Sequence, residues 1–259
     1  MSLRRLLNWL AALLVLKVTI VVVLKYRDYL PPNFDSDFLQ GRESYFFDSY
    51  QWAFYPHIAA GPLTLILGLL LINDRVRLRF PKAHRVMGRV QILLVLFVVA
   101  PSGFWMAYRA AAGPAAGLGF GLLAFATGLF AFLGWRTAVR RRFAEHRRWM
   151  ERCFAALCST VVLRLIAGLA NVARVDAAWV DVFAAWGSWL LPLAAFELFR
   201  VVRVQSLIQS CVVPRSERAS DSDQCSTIPA LHPHPGGTST ERNDRLGLRS
   251  PPGYRPIHR

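Results

Sequence analysis

Long apolar segments are the feature that most constrains how this chain can fold. A helix needs about 20 apolar residues to cross the hydrocarbon core of a bilayer. Six such blocks occur, and each is apolar around its whole circumference rather than along one helical face. They occupy residues 6–24, about 53–72, 90–108, 115–135, 149–172 and 179–199. The pattern predicts an all-α, polytopic membrane helix bundle with about six transmembrane helices.

The distribution of basic residues predicts the orientation of this bundle. Arginine and lysine are concentrated in residues 73–89 and 136–148, whereas the loops after the first, third and fifth blocks carry few of them. The positive-inside rule therefore assigns the two basic loops to the cytoplasm. Basic residues near both ends of the bundle agree with cytoplasmic termini: Arg4, Arg5, Arg200 and Arg203.

The net charge of +15 also has to be explained. In a soluble protein such a charge would indicate nucleic acid as a partner. Here the basic loops account for it, and the predicted partner is the lipid bilayer with its anionic headgroups. We therefore expect no nucleic-acid partner.

The composition changes after the last apolar block and predicts two regions. Residues 1–203 form the six-helix transmembrane domain, with an uncleaved first helix because no small-x-small cleavage site follows the first block. Residues 204–259 are rich in Ser, Pro, Arg and Asp. Such a segment buries too little apolar surface to offset the entropy cost of ordering, so we expect a disordered cytoplasmic tail.

Two histidines at the same end of different helices suit haem iron. His84 comes just before the third block, and His146 comes just before the fifth. Each neutral imidazole can supply one axial nitrogen, and a flat macrocycle fits between two helices. Gly88 lies one turn after His84 and leaves room for a macrocycle or a close helix. The arginines available to pair with haem propionates are Arg85, Arg89, Arg147 and Arg148.

An ordinary membrane interface explains the same residues. Histidine and arginine at a cytoplasmic helix end commonly anchor the helix to lipid headgroups. Two interpretations of His84 and His146 therefore remain open. They are ligands of one b-type haem, whose iron is the only metal expected, or they are interfacial anchors.

Arg164 is the most informative single residue, because it is a charge inside an apolar block. It lies about 12 Å from the outer end of the fifth helix at 1.5 Å per residue. This depth predicts a side chain that faces the bundle interior and has a polar partner. Candidate partners at the outer side are His57, Asp48 and Asp181. In one uninterrupted helix, His146, Arg164 and Asn171 project from a single face. A purely structural pair between helices is the alternative.

Four short motifs occur in order along the chain. They are His-x-x-x-Gly-Pro at 57–62, His-Arg-x-x-Gly-Arg at 84–89, His-Arg-x-Trp-Met at 146–150 and Leu-Arg-Leu at 163–165. Over about residues 45–200 the chain resembles an uncharacterised bacterial family of multi-pass membrane proteins, a domain of unknown function. The resemblance implies location in the bacterial plasma (inner) membrane and supplies no activity.

The layout is also similar to that of small b-type membrane cytochromes, by analogy alone. With a single outer histidine, His57, the chain departs from a two-haem pattern, so at most one haem is expected. Two functions follow as hypotheses. The first is a redox membrane protein with a b-type haem, exchanging electrons with a quinone near His57 and Arg164 or with a redox partner. The second is a non-enzymatic carrier of small solutes or a structural subunit. The substrate, the oligomeric state and any catalytic residue are left open.

Overall fold

The described residues form α-helices joined by short connections, with no β-strand among them. The structure is a computed structural model that describes residues 3–36, 38–175 and 177–212. The helices are α1 (Leu3–Leu24), α2 (Glu43–Tyr45), α3 (Gln51–Leu71), α4 (Asp74–Arg79), α5 (Pro81–Leu94), α6 (Ala100–Tyr108), α7 (Gly113–Val139), α8 (Phe143–Leu157), α9 (Ser159–Val172) and α10 (Ala178–Val212). This architecture confirms the predicted all-α class.

Six segments of the described chain are long and apolar enough to cross a membrane. They are called the first to sixth spans: Trp9–Asp28, Glu43–Leu71, Pro81–Tyr108, Gly113–Val139, Phe143–Val172 and Trp179–Val202. Each contains or overlaps one of the six predicted apolar blocks. The number of spans is therefore confirmed, whereas the cytoplasmic position of the termini stays a prediction from loop charge.

Four of the spans are not uniform α-helices. The first ends in a short 3-10 helix, Lys25–Asp28. A π-helical segment, Phe46–Tyr50, precedes α3 in the second span, and another, Val95–Val99, joins α5 to α6 in the third. The fifth span is interrupted at Cys158, whose carbonyl accepts the Val161 amide at 2.9 Å, a bond of the tighter i→i+3 type. Such irregularities shift which side chains share a helix face.

Glycines allow the fifth span to lie close to its neighbours. A Cβ atom added at Gly68 would lie 2.5 Å from the Phe154 ring, and one added at Gly134 would lie 2.6 Å from Sδ of Met150. Small residues are favoured at such contacts in membranes because they let backbones approach. The second and fourth spans therefore pack against α8 through these two positions.

The two ends of the bundle differ in chemistry. At one end, which we call the basic end, ion pairs join separate elements: Asp74 of α4 pairs with Arg147 of α8, and Arg152 pairs with Glu197 of the sixth span at 2.6 Å. At the other, which we call the aromatic end, the loop from Tyr29 to Arg42 folds over the start of the second span. Its cluster of edge-on and stacked rings includes Phe34, Phe38, Phe46, Tyr50 and Phe54.

The last helix continues past the predicted domain boundary at Arg203. The chain divides after Gln209 into two units, and α10 is described as far as Val212. The predicted disordered tail otherwise falls on residues 213–259, which lie outside the described residues.

Candidate functional site

A cavity of about 660 Å³ opens within the aromatic-end half of the bundle. All six spans contribute to its wall, and most of the lining side chains are apolar. Cavities that bind small molecules have volumes of about 300–1,000 Å³ and combine apolar walls with a few polar groups. The polar groups of interest here are Tyr26, Tyr29, Arg42, His57, Thr160 and Arg164.

His57 reaches this cavity from the second span and is tied to the third. Its Nδ1 lies 2.9 Å from Oγ of Ser102. Gly103 leaves the space that the ring occupies, since a Cβ there would lie 3.2 Å from Cε1 of His57. The ring also interacts with the carbonyl of Val99, near Ser102 in the third span. No hydrogen bond to Nε2 is found among the described residues, so this nitrogen is available to a ligand.

The proline of the first motif provides a further cavity contact. Pro62 has no backbone N–H and cannot donate to the carbonyl of Ile58, four residues earlier in the helix. The hydroxyl of Tyr26, at the end of the first span, donates to that carbonyl instead. Tyr55, one turn earlier in the second span, donates its hydroxyl to the carbonyl of Tyr29 at 3.1 Å. These two bonds fix the first span against the second beside the cavity.

Arg164 lines the cavity with most of its hydrogen-bonding capacity unused. One guanidinium nitrogen donates to Oγ1 of Thr160 at 2.9 Å and approaches the carbonyl of the same residue at 3.4 Å. Tyr26 and Tyr29 lie close enough to interact with it electrostatically. Among the described residues no carboxylate lies within ion-pair distance. The side chain is exposed, so its interior position stays a prediction, and its polar partner is a hydroxyl on the same helix rather than His57 or an acid.

A second arginine lines the same cavity from the loop at the aromatic end. Arg42 is only 8% exposed, and its guanidinium carbon lies 4.5 Å from the centre of the Phe38 ring. It donates to the Phe38 carbonyl, while its Nε is buried without a partner in the part of the chain that is described. Among the described residues, the lining therefore carries two cationic side chains, Arg42 and Arg164, and one carboxylate, Asp181.

The basic end brings together the two histidines that were predicted as haem ligands. Nδ1 of His146 lies 2.8 Å from the carbonyl of Gly134 and must donate to it, which leaves Nε2 as a free acceptor. Nδ1 of His84 is buried and has no partner within the described structure. The two rings are close enough to interact electrostatically. The described chain contains no group of three or more metal-ligating side chains.

The arginines around this pair differ in availability. Arg147 is already engaged with Asp74 at 3.2 Å and with Glu151 at 2.9 Å. Burial raises the pKa of Asp74, but the charges of Arg147 and Arg77 and their hydrogen bonds outweigh it, so the pKa lies below its usual value. Arg85 and Arg89 are exposed, and neither has an ion-pair partner among the residues described. Nothing lies within 4 Å of a Cβ built at Gly88, so this glycine accompanies open space rather than a close helix.

A family comparison matches residues 54–200 to the description "Predicted membrane protein (DUF2306)". The chain belongs to the DUF2306 family. No curated protein and no solved structure matches it. The DUF2306 region includes His57, His84, His146 and Arg164, whereas Arg42 lies before it.

The single polar face predicted for the fifth span is divided in the structure of this DUF2306 chain. His146 lies at the basic end and Arg164 in the cavity, whereas Asn171 is exposed and is not among the cavity-lining residues. The prediction assumed one continuous helix. The interruption at Cys158 changes the register between His146 in α8 and Arg164 in α9, so their spacing in sequence no longer gives a shared face. Arg164 and Asn171 both lie in α9, so the interruption does not separate these two.

Several polar residues of the DUF2306 cavity escaped the sequence analysis. Ser102 was detectable as a hydroxyl in the middle of an apolar block, and Tyr26 as an aromatic donor at a helix end. Arg42 carried no signal, because an arginine in a polar loop is ordinary. Only the folding of that loop over the second span brings it to the cavity.

Proposed function

We propose that this DUF2306 protein binds a membrane-soluble quinone in its cavity and takes part in redox chemistry in the bacterial plasma membrane. One observation carries the proposal: His57 and Arg164, from different spans, open on one largely apolar cavity. A quinone has matching chemistry, because its ring and tail are apolar and its two oxygen atoms lie at opposite ends of the ring. The cavity volume of about 660 Å³ suits the ring and the first part of a tail.

Arg164 is the residue that most needs a ligand. A charged side chain at such a depth costs about 2.5–3.5 kcal/mol on insertion scales. A guanidinium has five N–H donors, and Thr160 accepts from only one nitrogen of Arg164. A ligand oxygen that accepts from this group would lower the cost and would fix one end of the quinone ring.

The redox interpretation extends to a second site at the basic end, where one b-type haem would be held by His84 and His146. The donor set fits, since His146 is oriented through Nδ1 by the Gly134 carbonyl, as axial histidines commonly are, and His84 has a buried, unpartnered nitrogen. Arg85 and Arg89 are available for the propionates, whereas Arg147 is already paired. A bound haem would supply one-electron transfer.

A carrier of acidic amphiphiles is the alternative from a different class. It is favoured by the second arginine, since Arg42 and Arg164 give the described part of the cavity lining more positive than negative charge. A carboxylate or phosphate headgroup pairs well with guanidinium groups. This reading needs no redox centre and no haem.

Ligand binding by the full chain in lipid nanodiscs tests the proposal. We expect a short-chain benzoquinone to bind saturably in calorimetric titration, and Arg164→Gln to weaken binding about tenfold. Arg140→Gln, which removes an exposed arginine at the basic end, is the matched control and should bind as the unaltered protein does.

The outcomes separate the two classes. The absence of saturable quinone binding to well-folded protein would overturn the quinone proposal. Binding of a single-chain carboxylate of similar size, weakened by both Arg42→Gln and Arg164→Gln, would favour the carrier instead.

A further inference from the structure

The hydroxyl of Ser102 donates its single proton to a backbone carbonyl of its own helix. Oγ of Ser102 makes a close hydrogen bond to the carbonyl of Val98, one turn earlier, and lies 3.3 Å from the carbonyl of Val99. The hydroxyl is the donor in this pair, because a carbonyl has no hydrogen to give. The proton therefore belongs to the bond from Ser102 to Val98.

The hydrogen bond from Ser102 to Val98 determines which nitrogen of His57 is protonated. Its Nδ1 lies 2.9 Å from Oγ of Ser102, which has only lone pairs left to offer. Nδ1 must then carry the proton and donate it. A neutral imidazole has one protonated nitrogen, so Nε2 presents a bare lone pair, and His57 lines the cavity.

The position of the ring is restricted as well as its tautomer. A Cβ at Gly103 would meet Cε1 of His57 at 3.2 Å and the Cβ of Ala124 at 3.6 Å. The third span therefore lies close to the ring of His57 at Gly103, where a larger residue would require the ring to move. The neighbouring π-helical segment, Val95–Val99, supplies the carbonyl oxygens that hold Ser102. Such segments are frequent at functional sites.

We infer that Ser102 holds His57 as a hydrogen-bond acceptor, so that the cavity selects the reduced, hydroxyl-bearing form of a quinone over the oxidised form. The inference rests on the proposed quinone site and names the form that it prefers. Arg164 only donates hydrogen bonds, and His57 in this tautomer accepts them at Nε2. A hydroquinone can give its O–H to Nε2 and accept from Arg164 at its other oxygen. The oxidised quinone has no O–H and leaves Nε2 without a partner.

Ser102 is thus a positioning residue, and its loss has a particular consequence. In Ser102→Ala the ring loses its bond to Ser102 and keeps only its bond to the Val99 carbonyl, so the Nδ1-protonated tautomer is less favoured and the proton can move to Nε2. The ring would then donate into the cavity, and the preference would shift toward the quinone, which only accepts. Ser102→Thr keeps a hydroxyl that can bond to the preceding turn, so it should retain the preference for hydroquinone.

Two measurements on the full chain in nanodiscs test this inference. Nitrogen-15 NMR of histidine-labelled protein should assign His57 as the Nδ1-protonated tautomer, in the unaltered protein and in Ser102→Thr but not in Ser102→Ala. Under anaerobic conditions a short-chain hydroquinone should bind about tenfold more tightly than its quinone, a difference typical of one lost hydrogen bond. Its dimethyl ether should lose the same factor. Thr137→Val, which removes an equivalent intrahelical hydroxyl at the basic end, is the control and should change neither result.

Each outcome tests either the preference for hydroquinone or the quinone site itself. An Nε2-protonated ring in the unaltered protein, or equal binding of hydroquinone and quinone, would overturn the inference while leaving a quinone site in place. Failure of both forms to bind would overturn the proposed function and the selectivity with it. A preference that survives in Ser102→Ala would show that Ser102 does not set it.

Discussion

The hydroxyl of Tyr26 donates a hydrogen bond to the carbonyl of Ile58, joining the first span to the second. The acceptor exists because Pro62 supplies no backbone donor to that carbonyl. A proline inside a membrane helix leaves an unsatisfied carbonyl, which neighbouring side chains must satisfy. Pro62 of the first motif and Tyr26 of the preceding span are therefore two parts of one contact.

Replacing Tyr26 by Phe should lower stability by about 1–3 kcal/mol, because it leaves a buried carbonyl without a donor. The measurement is thermal unfolding of the detergent-solubilised protein. Tyr108→Phe is the matched control, since that side chain is 84% exposed and should tolerate the change. In a Pro62→Ala background the new N–H can satisfy Ile58, so Tyr26→Phe should cost less there. An equal cost in both backgrounds would contradict the assigned role of Pro62.

Packing of the fifth span gives a second prediction. Gly68→Ala should destabilise the protein by about 1–3 kcal/mol, because its new methyl group would lie 2.5 Å from the Phe154 ring. Gly168→Ala is the matched control: nothing lies within 4 Å of a Cβ there, and the change should be neutral or slightly stabilising. Phe154→Leu should relieve part of the effect of Gly68→Ala. If both glycine variants unfold at the same temperature, the close contact between position 68 and Phe154 is contradicted.

The ion pair between Asp74 and Arg147 should make the basic end sensitive to acid. Because the pKa of Asp74 is lowered in the folded state, its stabilising contribution is complete above the unfolded pKa of about 3.9 and is lost as the pH falls through the lower folded value. Both side chains are about half exposed, so the effect should be at most about 1 kcal/mol and should weaken with salt. Unfolding of Asp74→Asn below pH 4 should show a smaller dependence on pH. An unchanged dependence would mean that other carboxylates dominate.

The orientation of the bundle is open to a direct test. The basic loops between the second and third spans and between the fourth and fifth predict that Arg79 faces the cytoplasm and that Asp37 faces the other side. Reporter fusions that are active on only one side of the membrane should give opposite results at these two positions. The same result at both would exclude six spans with cytoplasmic termini.

The spans could be predicted from the sequence because the apolar length that crosses a bilayer is a local property of each segment. The cavity could be predicted only in part. His57 and Arg164 stood out as polar groups at or inside apolar blocks, but their contacts depend on how the helices are rotated. The interruption at Cys158 changes the helix register between His146 in α8 and Arg164 in α9, whereas the contact of Arg164 with Thr160 is one turn within α9. No periodic pattern in the sequence reports such an interruption.

The histidine pair at the basic end gives the last prediction. If the redox interpretation holds, protein produced with abundant haem should show a Soret absorption band. His84→Ala and His146→Ala should each lose the six-coordinate form of this band, through a shift or a loss of intensity, because six-coordinate iron needs both imidazoles. His57→Ala is the matched control, since His57 lines the cavity at the aromatic end, and it should keep the band. Gly134 carries the carbonyl that orients His146, and a bulky residue there would meet Met150, so Gly134→Val should shift or weaken the band. Well-folded, colourless protein under these conditions would contradict haem binding and would leave His84 and His146 as interfacial anchors at the basic end.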